Sequence, residues 1–185
     1  MVVAAATHTT RILSNSFLSV LYIIVQTLER SYLTERNLIG RCGLYCGACT
    51  IYQAYKDNGD FQKRVAAYFK CPPEKVRCEG CQALTSECWG SDCKIVQCTT
   101  AKGLSFCYEC PQFDDKSCDK YNELAQRYLE DNVNARANLA KIKSGQVAEW
   151  IAESKERFKC PHCHKPLPEG YKKCYHCGKE FNKVL

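Results

Sequence analysis

Histidine is scarce in this chain of 185 residues: there are four, and none lies between residues 42 and 118. This absence excludes histidine-ligated metal sites from that span. It also removes the usual general base for a nucleophilic cysteine, because a thiol needs such a partner to act in covalent catalysis. A catalytic Cys–His pair is therefore disfavoured, and any metal ligands in this span would all be thiolates.

A long apolar run is also missing. The longest stretch, residues 12–25, falls short of the roughly 20 residues that a transmembrane helix needs. No small-residue cleavage site of a signal peptide follows it. We therefore expect no integral membrane span and a cytoplasmic location. Residues 1–37 are predicted to be a helical extension of low functional content, and translation from a later start codon, near Leu33, is an alternative that would leave it out.

Apolar side chains other than cysteine are few for a chain of this length. The apolar fraction is 45% with cysteine included and roughly 36% without it. A core this thin needs help from crosslinks or metal ions. The formal net charge of +6 counts every thiol as neutral, whereas metal-bound thiolates are negative, so the charge is weak evidence for nucleic-acid binding.

Cysteine, in contrast, is abundant, with 16 residues. The spacing favours metal ions over disulfides, because C-x-x-C brings two thiolates to one ion from a tight turn. A reducing cytosol keeps such thiols available for metal. Four such pairs recur along the chain: Cys78 with Cys81, Cys107 with Cys110, Cys160 with Cys163, and Cys174 with Cys177.

Residues 38–120 are predicted to be a small metal-stabilised domain, mostly α-helical with irregular cysteine-rich loops. Its all-thiolate ligands suit either Zn²⁺ or an iron–sulfur cluster, and the sequence leaves both open. Residues 42–118 hold 12 cysteines, enough for up to three Cys₄ sites, and the predicted ligands among them are Cys42, Cys46, Cys49, Cys78, Cys81, Cys93, Cys98, Cys107, Cys110 and Cys118.

The run Cys42-x3-Cys46-x2-Cys49 has the spacing of radical S-adenosylmethionine enzymes, which leave one iron of a cluster open. Such enzymes surround the motif with a β/α barrel, and no alternating strand–helix pattern follows here. Ala48 also stands where that superfamily has an aromatic residue. This interpretation is disfavoured.

Several motifs taken together resemble one prokaryotic cysteine-rich family, the domain-of-unknown-function family 3795. The resemblance covers residues 38–120 and implies a small metal-binding domain without an assigned activity. That family closes with Phe-Pro-Cys, whereas four residues separate Phe113 from Cys118 here. Cys71 and Cys88 are additional to the family's motifs, and the resemblance implies that they are structural thiols. The motifs are GRCGLYCGAC at residues 40–49, CEGC at 78–81, CKIVQC at 93–98 and KGLSFCYECPQF at 102–113.

Residues 121–157 contain no proline and repeat apolar side chains at helical spacing. They are predicted to be a helical connector in which Trp150 belongs to the core. Asn134 is a candidate helix cap.

Residues 158–185 resemble a zinc ribbon, in which two knuckles on β-hairpins present four thiolates to one Zn²⁺. The predicted ligands are Cys160, Cys163, Cys174 and Cys177, and Gly178 follows the second knuckle. The nearby His162, His164 and His176 are expected to be exposed or outside the ligand set.

The sequence as a whole predicts a multi-site zinc-binding protein and favours a structural or adaptor module with a protein partner over an enzyme. Two alternatives stay open. One is an iron–sulfur protein that transfers electrons or senses oxidants through the central cysteines. The other is a nucleic-acid binder that uses the ribbon and basic helices.

Overall fold

The computed structural model describes residues 18–27 and 35–181 and divides the chain into two units, residues 1–36 and 37–185. In the first unit, residues 18–27 form helix α1, whose apolar side chains from Leu18 to Val25 are exposed. Residues 1–17 and 28–34 of the predicted extension lie outside the described residues. Nowhere in the described part is a helix both long and apolar enough to cross a membrane.

The second unit is mostly helical, as predicted. Short 3₁₀ turns link the helices, and the cysteine-rich loops run between them. Its α-helices are α2 (Thr50–Asp57), α3 (Asp60–Tyr68), α4 (Lys94–Ala101), α5 (Pro111–Asp114), α6 (Asp119–Glu130), α7 (Ala135–Lys143) and α8 (Val147–Arg157).

Helix boundaries follow local chemistry. The side chain of Asn134 accepts a hydrogen bond from the Ala137 N–H at 2.9 Å and so caps α7, as predicted. At α3 the cap comes from the preceding turn, where Asn58 adopts a positive φ of 47°. There the Asp57 carboxylate accepts from the Phe61 N–H at 3.1 Å.

Three apolar clusters hold the second unit together. The first packs Trp150 and Tyr121 around Cys42 and Cys107, which confirms Trp150 as a core residue. The second joins Phe158, Leu167 and Ala48 to the buried thiols of Cys160 and Cys174. The third packs α2 against α3 and includes Cys78. Cysteine therefore belongs to every cluster, which compensates for the low share of other apolar residues.

The predicted C-terminal β-hairpins are wrong: the described residues contain no β-strand. Only isolated bridges occur at the C-terminal end, Lys159 with Pro166 and Lys173 with Glu180. Each knuckle is flanked by two backbone hydrogen bonds, such as Leu167 N–H to Phe158 C=O at 2.8 Å. Beside the first knuckle, Pro166 and Pro168 supply no N–H groups, so its ladder cannot lengthen there; the second knuckle contains no proline.

Candidate metal centre

The C-terminal segment brings four thiols to one point. The Sγ atoms of Cys160, Cys163, Cys174 and Cys177 all lie within 4.8 Å of one another. Cys160 Sγ is 3.8 Å from Cys177 Sγ, and Cys163 Sγ is 3.7 Å from Cys174 Sγ. Among the described residues, no other set of three or more potential ligand atoms is this compact. The group could hold a metal ion.

Both knuckles have the same backbone geometry. The N–H of His162 donates to Cys160 Sγ at 3.4 Å, and the N–H of His176 donates to Cys174 Sγ at 3.4 Å. The loops then close through residues with positive φ, His164 at 58° and Gly178 at 73°. Sequence reasoning identified Gly178 but missed His164, which occupies the corresponding position in the first loop. The three histidines are exposed and stand outside the thiol group.

The knuckle geometry makes one thiol acidic. Burial opposes ionisation of Cys160, but N–H groups of Cys163 and His162 outweigh it and lower the pKa of Cys160 to about 6. Burial, together with the adjoining Cys160 and Cys177 thiols, raises the pKa of Cys174. Without metal the group therefore shares protons between its thiols, and binding a divalent cation must release them.

The centre is docked on the cysteine-rich domain. The ring of Phe158, just before the first knuckle, stacks on Tyr45 with centroids 6.2 Å apart. Between the knuckles, the N–H of Glu169 donates to the Ala48 carbonyl at 2.9 Å. Leu167 is fully buried in the same contact. The C-terminal segment and residues 44–48 thus form one packed unit.

The central cysteines fall into two neighbourhoods. In one, the thiols of Cys46 and Cys81 are hydrogen-bonded, and this contact and burial raise the pKa of Cys46. The N–H of Gly80 donates to Cys78 Sγ at 3.5 Å, which repeats the geometry of the C-terminal knuckles. Cys49 packs nearby: burial raises its pKa, and the charge of Cys81 adds to the effect.

The second neighbourhood surrounds a small cavity, lined by Cys98, Cys107, Cys110 and Cys118. Burial raises the pKa of Cys107 to about 12, and the charges of Cys118, Cys98 and Cys110 add to this increase. Cys42 and Cys93 lie between the neighbourhoods. Burial raises the pKa of Cys42, and the charges of Cys81, Cys107 and Cys93 add to the effect.

The two cysteines interpreted as extra thiols both lie on the side of Cys78, and the charge of Cys88 contributes to the raised pKa of Cys78 after burial. Cys88 is buried, and its sulfur lies 3.5 Å from both the N–H and the hydroxyl of Thr85. Cys71 is half-buried beside the cluster of α2 and α3. Lys102 was missed by sequence reasoning, and its Nζ donates to Cys110 Sγ at 3.3 Å. Its position four residues after Cys98 is the sequence feature that could have identified this lysine.

Comparisons with known proteins bear on the cysteine-rich part of the chain. No curated protein and no solved structure matches the sequence. The sequence model of one family matches residues 38–123, which leaves the C-terminal centre outside the match. That family is described as "Protein of unknown function (DUF3795)", so the resemblance drawn from the cysteine motifs is confirmed.

Proposed function

We propose that this protein is a binding module whose shape depends on structural metal, and that its C-terminal centre holds one Zn²⁺. The observation that carries the proposal is the convergence of four cysteine sulfurs within 4.8 Å. Four thiolates at this spacing suit a tetrahedral ion, and soft sulfur ligands favour zinc among the common divalent metals.

A structural role is favoured over a catalytic one. Catalytic zinc sites keep three protein ligands and an open position for water or substrate. Here four cysteines would fill all positions, and the exposed imidazoles of His162 and His176 lie outside the thiol group. The ion would therefore contribute folding free energy rather than a reactive water.

The centre would fix the position of the C-terminal segment. That segment has isolated bridges in place of strands, and its apolar contacts are with Tyr45, Ala48 and Phe61 of the cysteine-rich domain. Metal binding to a segment with so little secondary structure of its own supplies much of its folding free energy. Loss of metal should therefore release the segment from the domain.

A binding role is supported by an exposed aromatic surface beside the centre, which we call the aromatic patch: Tyr68, Phe69 and Trp89. Tyr68 is 80% exposed, and its ring contacts Phe69, which contacts Trp89 in turn. A groove of about 790 Å³ runs from this patch to residues 170–178 of the C-terminal segment. Contiguous exposed aromatic surface is typical of protein interaction sites. We therefore propose a protein partner that inserts apolar side chains into the groove.

Metal analysis of matched variants tests the proposal. The protein is purified anaerobically without added metal, as wild type, as Cys163→Ser with Cys177→Ser, and as the control Cys71→Ser. We expect the double variant to lose one zinc per chain and the control to lose none. An unchanged zinc content in the double variant, or iron in place of zinc, would refute the assignment.

The partner is tested separately, with a photoreactive amino acid at position 68 in cells that make the protein. Protein adducts that disappear when zinc is chelated would support the proposed surface. Adducts with nucleic acid, or no metal-dependent adduct, would contradict it.

A further inference from the structure

A second set of cysteines surrounds one small cavity inside the cysteine-rich domain. The cavity measures about 20 Å³, and Cys98, Cys107, Cys110 and Cys118 line it together. Its other walls are largely apolar, formed by Ile95, Leu104, Phe113 and Tyr121. Such a volume is about that of one water-sized probe, which is room for a single atom and not for an organic molecule.

The four cysteines come from separate elements that only the tertiary fold brings together. Cys98 lies in α4, and Cys107 begins a 3₁₀ turn that ends at Glu109. Cys110 precedes α5, and Cys118 is the N-cap residue of the 12-residue helix α6. Cys107 and Cys110 form the C-x-x-C pair of this set.

Two cations border the same cavity. Lys102 donates from Nζ to Cys110 Sγ at 3.3 Å, and Lys120 forms another part of the lining. Four thiolates around one divalent ion carry two net negative charges, which these two lysines would offset. Apolar packing alone does not account for four thiols and two ammonium groups around one small cavity.

We propose that Cys98, Cys107, Cys110 and Cys118 form a second metal site, which binds one divalent thiophilic cation, Zn²⁺. The four sulfurs are less compact than the C-terminal group, so the proposal requires the half-buried side chains of Cys98, Cys110 and Cys118 to turn toward the cavity when the ion binds. The volume of about 20 Å³ suits a single ion, which is why the proposal names Zn²⁺ rather than an iron–sulfur cluster. This site is independent of the proposed C-terminal zinc.

The first test compares metal content in the full-length protein. We expect Cys110→Ser with Cys118→Ser to lose one zinc per chain while the C-terminal zinc remains. Cys163→Ser with Cys177→Ser should lose a different zinc, and Cys71→Ser none. In cadmium-exchanged protein, each double variant should remove a different NMR resonance of the metal. A cavity variant with wild-type metal content would overturn the proposal, as would loss of iron and labile sulfide.

The second test needs no variant, so a folding defect cannot obscure it. Cys110 and Cys118 of the wild-type protein are alkylated with iodoacetamide, with zinc bound and after chelation, and each site is quantified by mass spectrometry. Zinc should slow alkylation of both thiols on the order of tenfold or more, because bound thiolates react poorly. Half-buried Cys71 is the internal reference. If Cys110 and Cys118 react as fast as Cys71 in the zinc-loaded protein, the proposal fails.

Discussion

The ring of Phe61 stacks on the ring of Tyr175, with centroids 3.8 Å apart and planes 12° from parallel. Tyr175 lies between Cys174 and Cys177 in the second knuckle, and its hydroxyl donates to Gln53 Oε1 at 3.0 Å. One side chain of the metal centre therefore contacts both α2 and α3. Metal occupancy and the packing of these helices should be coupled through it.

Substitution of Tyr175 tests this coupling. Tyr175→Ala removes the ring stack and the hydrogen bond, and we expect a loss of about 3–4 kcal/mol in the free energy of unfolding. Tyr175→Phe keeps the stack but leaves the buried Gln53 amide oxygen without this donor, for a loss of about 1–2 kcal/mol. Urea unfolding of the zinc-loaded proteins measures both. Equal losses for the two variants would show that the stack contributes nothing.

Glu169 should make stability depend on pH. Burial, with the nearby charge of Asp131, raises the pKa of this carboxyl from 4.5 to about 7, although Arg157 opposes the shift. The folded protein holds this proton more tightly than the unfolded chain does. The contribution of Glu169 to the free energy of unfolding is therefore fully present below pH 4.5 and is lost as the pH rises through 7.

Glu169→Gln removes this penalty. The stability gained by the variant should therefore grow between pH 5 and pH 8, by about 1–2 kcal/mol after allowance for partial solvent exposure. Urea unfolding of the variant and the wild type is measured at both pH values. The difference between the two proteins cancels the contribution of the thiols, because both contain the same cysteines. Glu123→Gln, on the exposed face of α6, provides the baseline. A gain that is constant with pH would contradict the assigned environment of Glu169.

Gly80 is required by the loop that joins Cys78 to Cys81. Its φ is +99°, and a Cβ atom there would lie 2.0 Å from the Asn37 carbonyl oxygen. We expect Gly80→Ala to cost about 3 kcal/mol or more, since it adds backbone strain to a clash with backbone. Gly178→Ala is the matched control, with φ +73° and open space around it, and should cost about 1 kcal/mol. Thermal unfolding that ranks them equally would contradict this.

Chelation should loosen the C-terminal segment before the rest of the second unit. The amides of Cys174 and Leu167 donate to Lys179 and Phe158 carbonyls, in bridges that the metal centre would hold. Hydrogen exchange at residues 159–181 should therefore accelerate on zinc removal, while the amides of α6 to α8 keep most of their protection. Unchanged exchange in residues 159–181 would mean that packing alone retains the segment.

The C-terminal centre could be predicted from sequence because C-x-x-C fixes two thiols at one point whatever surrounds them. The grouping of central cysteines could not. Cys93 and Cys98 are five positions apart around α4, which separates them by about 140° on a helix. Cys98 accordingly lines the cavity, whereas Cys93 lies between the two neighbourhoods, where its charge acts on both Cys42 and Cys107. Only tertiary packing decides such partners.

The β-hairpins were wrongly predicted for a related reason. Each knuckle closes with one isolated bridge, and in the first knuckle the prolines around Leu167 prevent a longer ladder. Docking of Tyr175 on Phe61, which depends on residues more than a hundred positions apart, supplies contacts that strands would otherwise provide. No local pattern in the sequence encodes that contact.

The central claim, that Cys160, Cys163, Cys174 and Cys177 hold a structural zinc, is tested most directly by native mass spectrometry of protein isolated anaerobically without added metal. The account predicts that Cys163→Ser with Cys177→Ser carries one zinc ion fewer than wild type, and that Cys71→Ser carries the same number. Equal zinc content in all three proteins would contradict it.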